Sequence, residues 1–221
     1  MKRVMIIGPN GVGKTKMAYD LARKCSGEIV NLDRTYLYKG FPITTGLQDT
    51  LKEKDVIRHL YELLEPFEES PPAARFAGSV LNAAQDIIGR GWVAIAEGGS
   101  TVYVPYLLEM NAKQRFFDQI IGLRFPEGYR IESDYRARID QAFDEGLVEE
   151  LNAGLSKYHE SFLIKECHFA VPTIKYIGGE ISLADAKEEI LIRCLAYQKR
   201  QLSLFSKYSQ VNWIKISGSD Y

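Results

Sequence analysis

The sequence Gly8-Pro9-Asn10-Gly11-Val12-Gly13-Lys14-Thr15 lies close to the start of the chain and matches the pattern G-x-x-x-x-G-K-[ST] at every defined position. It follows a short apolar run at 3–7 and precedes a segment, 14–24, whose apolar residues recur at helical spacing. Glycines let backbone N–H groups turn towards phosphate oxygens, while the helix start and the lysine add positive charge. The strand, loop and helix pattern therefore predicts a phosphate-binding loop, or P-loop.

Apolar runs alternate with helical patterns along the rest of the chain. Further strands are expected at 28–32, 92–96, 119–124 and 211–216, and helices at 73–88, through Leu108, from 129 through 151, and at 183–206. This alternation is typical of parallel strands joined by crossover helices. We therefore expect an α/β fold: a P-loop NTPase-like parallel sheet flanked by helices, with a small C-terminal helical part.

The expected organisation is a single domain over 1–221. The sheet core with the P-loop is assigned to 1–125, and a mainly helical part that closes the active site to 126–221. The stretch 156–173 has the composition of a loop or mobile segment. No apolar run is long enough to span a bilayer, so no membrane partner is expected.

The charges of the chain nearly cancel. The 28 Lys and Arg residues face 29 Asp and Glu residues, so no overall field attracts nucleic acid or a membrane surface. Three cysteines, Cys25, Cys167 and Cys194, are far apart in the sequence and show no metal-ligand spacing. Reduced thiols are the simplest interpretation, and they indicate a cytoplasmic protein. The balanced charge fits a protein that handles small phosphorylated ligands.

Two carboxylates follow predicted strands. Glu97 ends the apolar run 93–96, where an ordinary P-loop NTPase has an aspartate that helps to hold magnesium. Asp33 follows the run 29–32, and ligands of open α/β sheets bind outside the carboxyl ends of the strands. We therefore expect Asp33 to face the same crevice as the P-loop, where it can coordinate, orient or accept a proton. The alternative is that Asp33 only caps a turn.

Several segments in a fixed order resemble the isopentenyltransferase family, the dimethylallyl transferases that prenylate N6 of adenine. Besides the P-loop they are Leu32-Asp33-Arg34, Tyr38-Lys39-Gly40, Ile43-Thr44-Thr45-Gly46, His59-Leu60, Glu97-Gly98-Gly99-Ser100, Arg138-Ile139-Asp140, Gly146-Leu147-Val148-Glu149-Glu150 and Gln198-Lys199-Arg200-Gln201. The resemblance covers nearly the whole chain. It is strongest to the bacterial adenylate isopentenyltransferases of cytokinin biosynthesis, and the tRNA dimethylallyltransferases are related to these.

The two branches of the family differ in the acceptor, which is a free adenine nucleotide in one and tRNA in the other. The segments 32–34 and 97–100 are similar to the bacterial adenylate enzymes, whereas 38–40 and 199–201 are more similar to the tRNA or plant branch. The span 103–138 is too short for the helical insertion with which the tRNA enzymes clasp the anticodon stem. We therefore expect AMP, or ADP or ATP, as acceptor and no tRNA partner. The alternatives are a tRNA dimethylallyltransferase, a small P-loop kinase with a lid built from Arg130, Arg136 and Arg138, or a nucleotide-binding module without catalysis.

The resemblance also implies roles for particular residues. The dimethylallyl group would pass from dimethylallyl diphosphate to N6 of the adenine, with Mg²⁺ as cofactor held by Thr15. The residues expected to bind the diphosphate are Asn10, Gly11, Gly13, Lys14, Thr15 and Arg138, of which Lys14, Thr15 and Arg138 also count as catalytic. Asp33 is carried over as the general base. Thr45 and Ser100 are candidates for acceptor contacts, and Lys199 and Arg200 either reach a phosphate or are only solvated.

Overall fold

A computed structural model describes residues 2–52, 54–158 and 162–216. In these ranges the chain forms a six-stranded sheet of order β3-β2-β4-β1-β5-β6, and every neighbouring pair is parallel. The strands are β1 Arg3–Ile7, β2 Gly27–Asn31, β3 Arg58–His59, β4 Val93–Gly98, β5 Gln119–Arg124 and β6 Asn212–Lys215. The P-loop strand β1 is thus central, between β4 and β5.

Ten helices surround the sheet in the described ranges. They are α1 Lys14–Cys25, α2 Pro42–Thr45, α3 Gln48–Lys52, α4 Ala73–Gly89, α5 Tyr103–Gln114, α6 Glu132–Asp144, α7 Leu147–Lys157, α8 Phe162–Glu166, α9 Ala170–Ile177 and α10 Leu183–Phe205. A short 3-10 helix, Thr35–Leu37, follows β2. Within these ranges no helix is both long enough and apolar enough to cross a membrane.

The strand residues alternate between the two faces of the sheet, as the period of two requires. Met5 and Ile7 of β1 pack into the cluster formed with α4 and α5, whereas Val4 and Ile6 pack against α1. Both faces of the central strands are therefore buried, which explains their continuous apolar runs.

Two smaller clusters build the helical part. One joins residues of α7, α8 and α9 around Leu151 and Leu163, and the other joins α6 and α10 through Ile139 and Ile190. The longest helix, α10, begins with a capping box in which Ser182 and Asp185 exchange hydrogen bonds. Its later part packs back towards the P-loop, so the helices form one wall of the site.

The predicted α/β class is confirmed, and the strands expected from the apolar runs form one parallel sheet. Strand β3 was not predicted, because two residues are too short to show a period. The composition predicts a loop or mobile segment at 156–173, but this stretch contains the end of α7, all of α8 and the start of α9; residues 159–161 lie outside the described ranges. The division at residue 125 stays a prediction, and β6 returns to the sheet from beyond it.

Candidate active site

A cavity of about 680 Å³ opens at the carboxyl edge of the sheet. Its lining brings together all the predicted site residues: Asn10, Gly11, Gly13, Lys14, Thr15, Asp33, Thr45, Ser100 and Arg138. Arg200 also lines it. The volume lies in the usual range of a small-molecule site. The edge at which the cavity lies is the one that the ligand rule for open α/β sheets predicts.

The P-loop wraps around the start of α1. Gly11 and Gly13 have φ angles of +76° and +84°, in the left-handed region that glycine adopts without strain. The ammonium of Lys14 is buried and donates to the carbonyl of Pro9 at 2.9 Å. In this conformation the lysine closes back over its own loop, beside the space that a phosphate ligand would take.

Lys14 and two carboxylates form a buried electrostatic group. Burial lowers the pKa of Lys14, although the charges of Glu97 and Asp33 oppose this shift. Burial likewise raises the pKa of Glu97 to about 7, against the attraction of Lys14. Glu97 is 2% exposed and lies 3.4 Å from the hydroxyl of Tyr61. For Lys14 and Glu97 alike, the loss of water around the charge has a larger effect on the pKa than the attraction between the two charges. Neither charge is therefore fully stabilised by its partner without a ligand.

Asp33 is held in one orientation by its neighbours. One carboxylate oxygen accepts hydrogen bonds from the backbone N–H and the hydroxyl of Thr35, at 3.2 and 3.0 Å. Its own N–H donates to the side chain of Asn31 at 2.6 Å. The carboxylate is half-buried and lines the cavity, so Asp33 both caps its turn and faces the ligand space. The two interpretations left open by the sequence are therefore compatible.

The remaining predicted residues differ in whether their side chains already have hydrogen-bond partners in the protein. Arg138 is exposed, and one of its guanidinium nitrogens lies 3.4 Å from the place where a Cβ on Gly46 would be. The hydroxyl of Thr45 donates to the carbonyl of Phe41 at 2.8 Å. The hydroxyl of Ser100 accepts from the backbone of Tyr103 at 3.2 Å. Both hydroxyls thus serve local turns, and their contacts to an acceptor stay predictions.

Sequence reasoning missed three side chains of the helical part, of which two support the P-loop and the third lines the cavity. Gln201 of α10 bonds Asn10 and Gly99, Tyr135 of α6 donates to the carbonyl of Asn10 at 3.0 Å, and Tyr197 of α10 lines the cavity. Gln201 stood in a segment that carried the family resemblance, but its spacing in the sequence shows no link to the loop. Pairings over 125 and 191 residues can be found only in three dimensions.

The residues present suit magnesium only together with a substrate phosphate. Within the described ranges no group of three His, Cys, Asp or Glu side chains is placed to hold a metal ion. Thr15, which lines the cavity, offers a hydroxyl beside the phosphate space. Mg²⁺ prefers few protein ligands, several waters and substrate phosphates. This donor set fits a magnesium ion that arrives with a diphosphate, and Mg²⁺ as cofactor stays a prediction.

Replacing Glu97 by glutamine is expected to stabilise the ligand-free protein at pH 8. The raised pKa means that the folded protein holds the proton more tightly than the unfolded chain does. Ionised Glu97 therefore destabilises the fold progressively as pH rises from 4.5 to about 7, and fully above that range. Denaturant unfolding of the two proteins measures this: the variant's advantage should be largest at pH 8 and vanish near pH 4.5. An advantage that is independent of pH would contradict the assignment.

A family model described as IPP transferase matches residues 36–120 and 109–208. These matches cover most of the chain, and with the P-loop and the carboxylate cavity they define its class. The chain belongs to the IPP transferase family.

The relatives and solved structures agree on one acceptor. A tRNA dimethylallyltransferase of Streptococcus pyogenes is 23% identical over 279 aligned residues, covering 100% of this chain and 93% of the relative. A tRNA dimethylallyltransferase of Streptococcus pneumoniae is 28% identical over 214 residues, covering 96% of this chain and 66% of the relative. The tRNA isopentenylpyrophosphate transferase structure of Bacillus halodurans has a TM-score of 0.84 at 21% identity, covering 99% and 92%. The structure of a eukaryotic dimethylallyltransferase acting on tRNA has a TM-score of 0.79 at 18% sequence identity, covering 99% of this chain and 74% of that chain.

These findings contradict the expected acceptor. The prediction of an adenylate enzyme of cytokinin biosynthesis, with AMP as acceptor and no tRNA partner, is wrong, because the relatives and structures just described are named for tRNA. The error came from the length of the span 103–138. The Streptococcus pyogenes alignment runs over 279 positions although this chain has 221 residues, so that relative carries stretches that this chain lacks. A shorter span is therefore compatible with membership among the tRNA relatives.

Proposed function

We propose that this protein transfers a dimethylallyl group from dimethylallyl diphosphate to N6 of an adenine in tRNA. One observation carries the proposal: the P-loop and the carboxylate of Asp33 line the same cavity. A donor diphosphate and an acceptor base can thus be held next to each other. The membership of the IPP transferase family supports the prenyl donor, and the tRNA relatives support the acceptor.

The donor is held by its diphosphate. The leaving group gains negative charge as the bond from C1 to oxygen breaks, and groups that are already in place around it lower the barrier. Backbone N–H groups of the P-loop, the ammonium of Lys14 and the guanidinium of Arg138 would meet this charge. The hydroxyl of Thr15 would hold Mg²⁺, which would supply further positive charge towards the leaving group when bound.

The acceptor amine is helped by Asp33. The N6 lone pair forms the new bond to C1 while the electron pair of the broken bond leaves with the diphosphate. The amine then carries one proton too many, and the carboxylate of Asp33 accepts it. An exocyclic amine conjugated to the purine is a weak nucleophile, so a fixed base at this position has a large effect.

A tRNA adenine reaches the cavity only if it leaves its stack. Enzymes that modify a base commonly extrude the nucleotide into a pocket. Cationic side chains, namely Arg34, Arg138, Lys165 and Arg200, line this cavity and suit the phosphates that flank such a base. The local positive charge therefore counts more for the acceptor than the overall formal charge of −1.

Parallel reactions test the acceptor. Purified protein, Mg²⁺ and dimethylallyl diphosphate labelled in the prenyl group are incubated with tRNA that lacks prenyl modification, or with AMP, ADP or ATP. We expect label in tRNA and little in the free nucleotides. Label in AMP with none in tRNA would overturn the proposal. ATP turnover without any prenyl donor would instead support the kinase alternative.

A further inference from the structure

The side chain of Gln201 connects two loops of the site. It lies on α10 and is 0% exposed. Its amide nitrogen donates to the carbonyl of Gly99 at 2.8 Å and to the side-chain oxygen of Asn10 at 3.1 Å. Its amide oxygen accepts from the backbone N–H of Asn10 at 2.9 Å. One buried side chain thus bonds both the P-loop and the loop between β4 and α5.

Three polar groups of Asn10 are hydrogen-bonded to side chains of α6 and α10. Its N–H and side-chain oxygen pair with Gln201, and its carbonyl accepts the hydroxyl of Tyr135 at 3.0 Å. An N–H that donates to Gln201 is not available to a phosphate oxygen at the same time. Asn10 therefore contributes to the P-loop as the point at which the loop is anchored, ahead of the residues that turn towards the ligand.

The second loop is anchored in the same way. A Cβ at Gly99 would lie 2.5 Å from the amide nitrogen of Gln201 and 2.9 Å from the carbonyl of Gly8, so only glycine allows this close approach. One helical turn earlier, the hydroxyl of Tyr197 accepts from the N–H of Thr101 at 3.4 Å and lies 3.5 Å from the Gly99 carbonyl. The helix α10 thus holds the residues that flank Ser100.

We infer that Gln201 is a positioning residue, which fixes the P-loop relative to the loop at Ser100 and so sets the geometry for binding a diphosphate. The inference about the P-loop stands on the hydrogen bonds alone. Its consequence for binding the diphosphate of the donor rests on the proposed function. Removing the amide would leave the Asn10 N–H without its partner and would take the 2.8 Å hydrogen bond from the Gly99 carbonyl, at a fully buried side-chain position. The loop would then relax away from its phosphate-binding form.

Binding of inorganic diphosphate with Mg²⁺, measured by calorimetry on the full chain, tests the inference without any prenyl or tRNA substrate. Gln201→Met keeps the size of the side chain and removes its hydrogen bonds. We expect it to weaken diphosphate binding by about ten-fold or more. Gln198→Met is the matched control. Gln198 is a second buried glutamine of α10, and in the described ranges its side chain makes no hydrogen bond to either loop.

Asn10→Ala separates positioning from a general loss of stability. It removes the side-chain oxygen at a half-buried position and keeps the backbone N–H. We expect a weaker affinity for diphosphate, and we expect the double variant with Gln201→Met to lose less than the two single losses combined. Melting temperatures recorded alongside show whether the folded state is intact at the temperature of the titration.

Two results would overturn the inference. One is diphosphate affinity in Gln201→Met equal to that of the unchanged protein. The other is an equal loss of affinity in Gln198→Met, which would indicate a general effect on α10. If Gln201→Met does not fold, unchanged diphosphate binding in Asn10→Ala decides the matter against positioning. Failure of tRNA prenylation by a protein that still binds diphosphate would contradict the proposed function and leave this inference standing.

Discussion

Asp33→Ala is expected to lower the turnover of tRNA prenylation by about 100-fold or more, while the affinity for dimethylallyl diphosphate stays nearly unchanged. The carboxylate lies at the cavity wall, oriented by the two hydrogen bonds from Thr35. It is placed to accept the N6 proton, and removal of a general base costs a factor of this size. Single-turnover kinetics with saturating donor and tRNA measure the chemical step directly.

The matched control for this change is Asp33→Asn. Asparagine keeps the shape and can still accept the hydrogen bonds from Thr35, but its amide cannot take up the proton. We expect it to be about as slow as Asp33→Ala, which assigns the loss to the proton transfer and not to the turn. Turnover in Asp33→Asn close to that of the unchanged protein would remove Asp33 from the chemical step.

Lys14→Ala is expected to weaken diphosphate binding and to lower turnover by about 100-fold, as the loss of one fixed group at a developing negative charge does. Its ammonium is buried in the P-loop and bonded to Pro9. Burial lowers the pKa of Lys14, and the negative charge of a bound diphosphate is expected to raise it again. Calorimetry with dimethylallyl diphosphate and Mg²⁺ measures the affinity, and steady-state kinetics measure turnover.

Lys16→Ala provides the comparison on the same helix. The Lys16 side chain is 62% exposed and lies 3.9 Å from the carboxylate of Asp20, away from the cavity lining. This variant should bind and turn over like the unchanged protein. Normal donor affinity in Lys14→Ala would contradict the placement of the diphosphate in the P-loop.

The sheet was predictable because its signals are local. Each long strand shows a continuous apolar run, and the P-loop pattern specifies strand, turn and helix within about a dozen residues. The expected run 3–7 became β1 Arg3–Ile7, and 119–124 became β5 Gln119–Arg124. The short helix α8 and the strand β3 are held by tertiary packing, and so a reading of period alone cannot find them.

The site was predictable only in part. Asp33 and the P-loop follow from a rule on where ligands bind in open sheets, and both line the cavity. Gln201 and Tyr135 act across sequence separations of 191 and 125 residues, and no spacing rule reaches so far. Glu97 was noticed for its departure from the NTPase pattern and as part of a segment that carried the family resemblance, but no role was predicted for it. Its raised pKa depends on the depth of burial, which the sequence does not show.

The acceptor was predicted wrongly because the net charge of the chain and the length of the span 103–138 were weighed without the residues that line the cavity. The near balance of charges was taken to exclude a polyanion, yet Arg34, Arg138 and Arg200 all line the one cavity that also holds Asp33. A net charge sums over the whole surface, whereas a nucleic acid responds to the charge near the site that it contacts. Length likewise says how much chain is present, and nothing of what the cavity accepts.

The central claim is tested most directly by mass spectrometry of the nucleosides from tRNA after incubation with Mg²⁺ and dimethylallyl diphosphate, for the unchanged protein and for Asp33→Ala. The account predicts adenosine carrying one dimethylallyl group on N6 with the unchanged protein, and at most about a hundredth of that amount, at equal early times, with Asp33→Ala. tRNA without any prenylated adenosine, or equal amounts of it from the two proteins, would contradict the account.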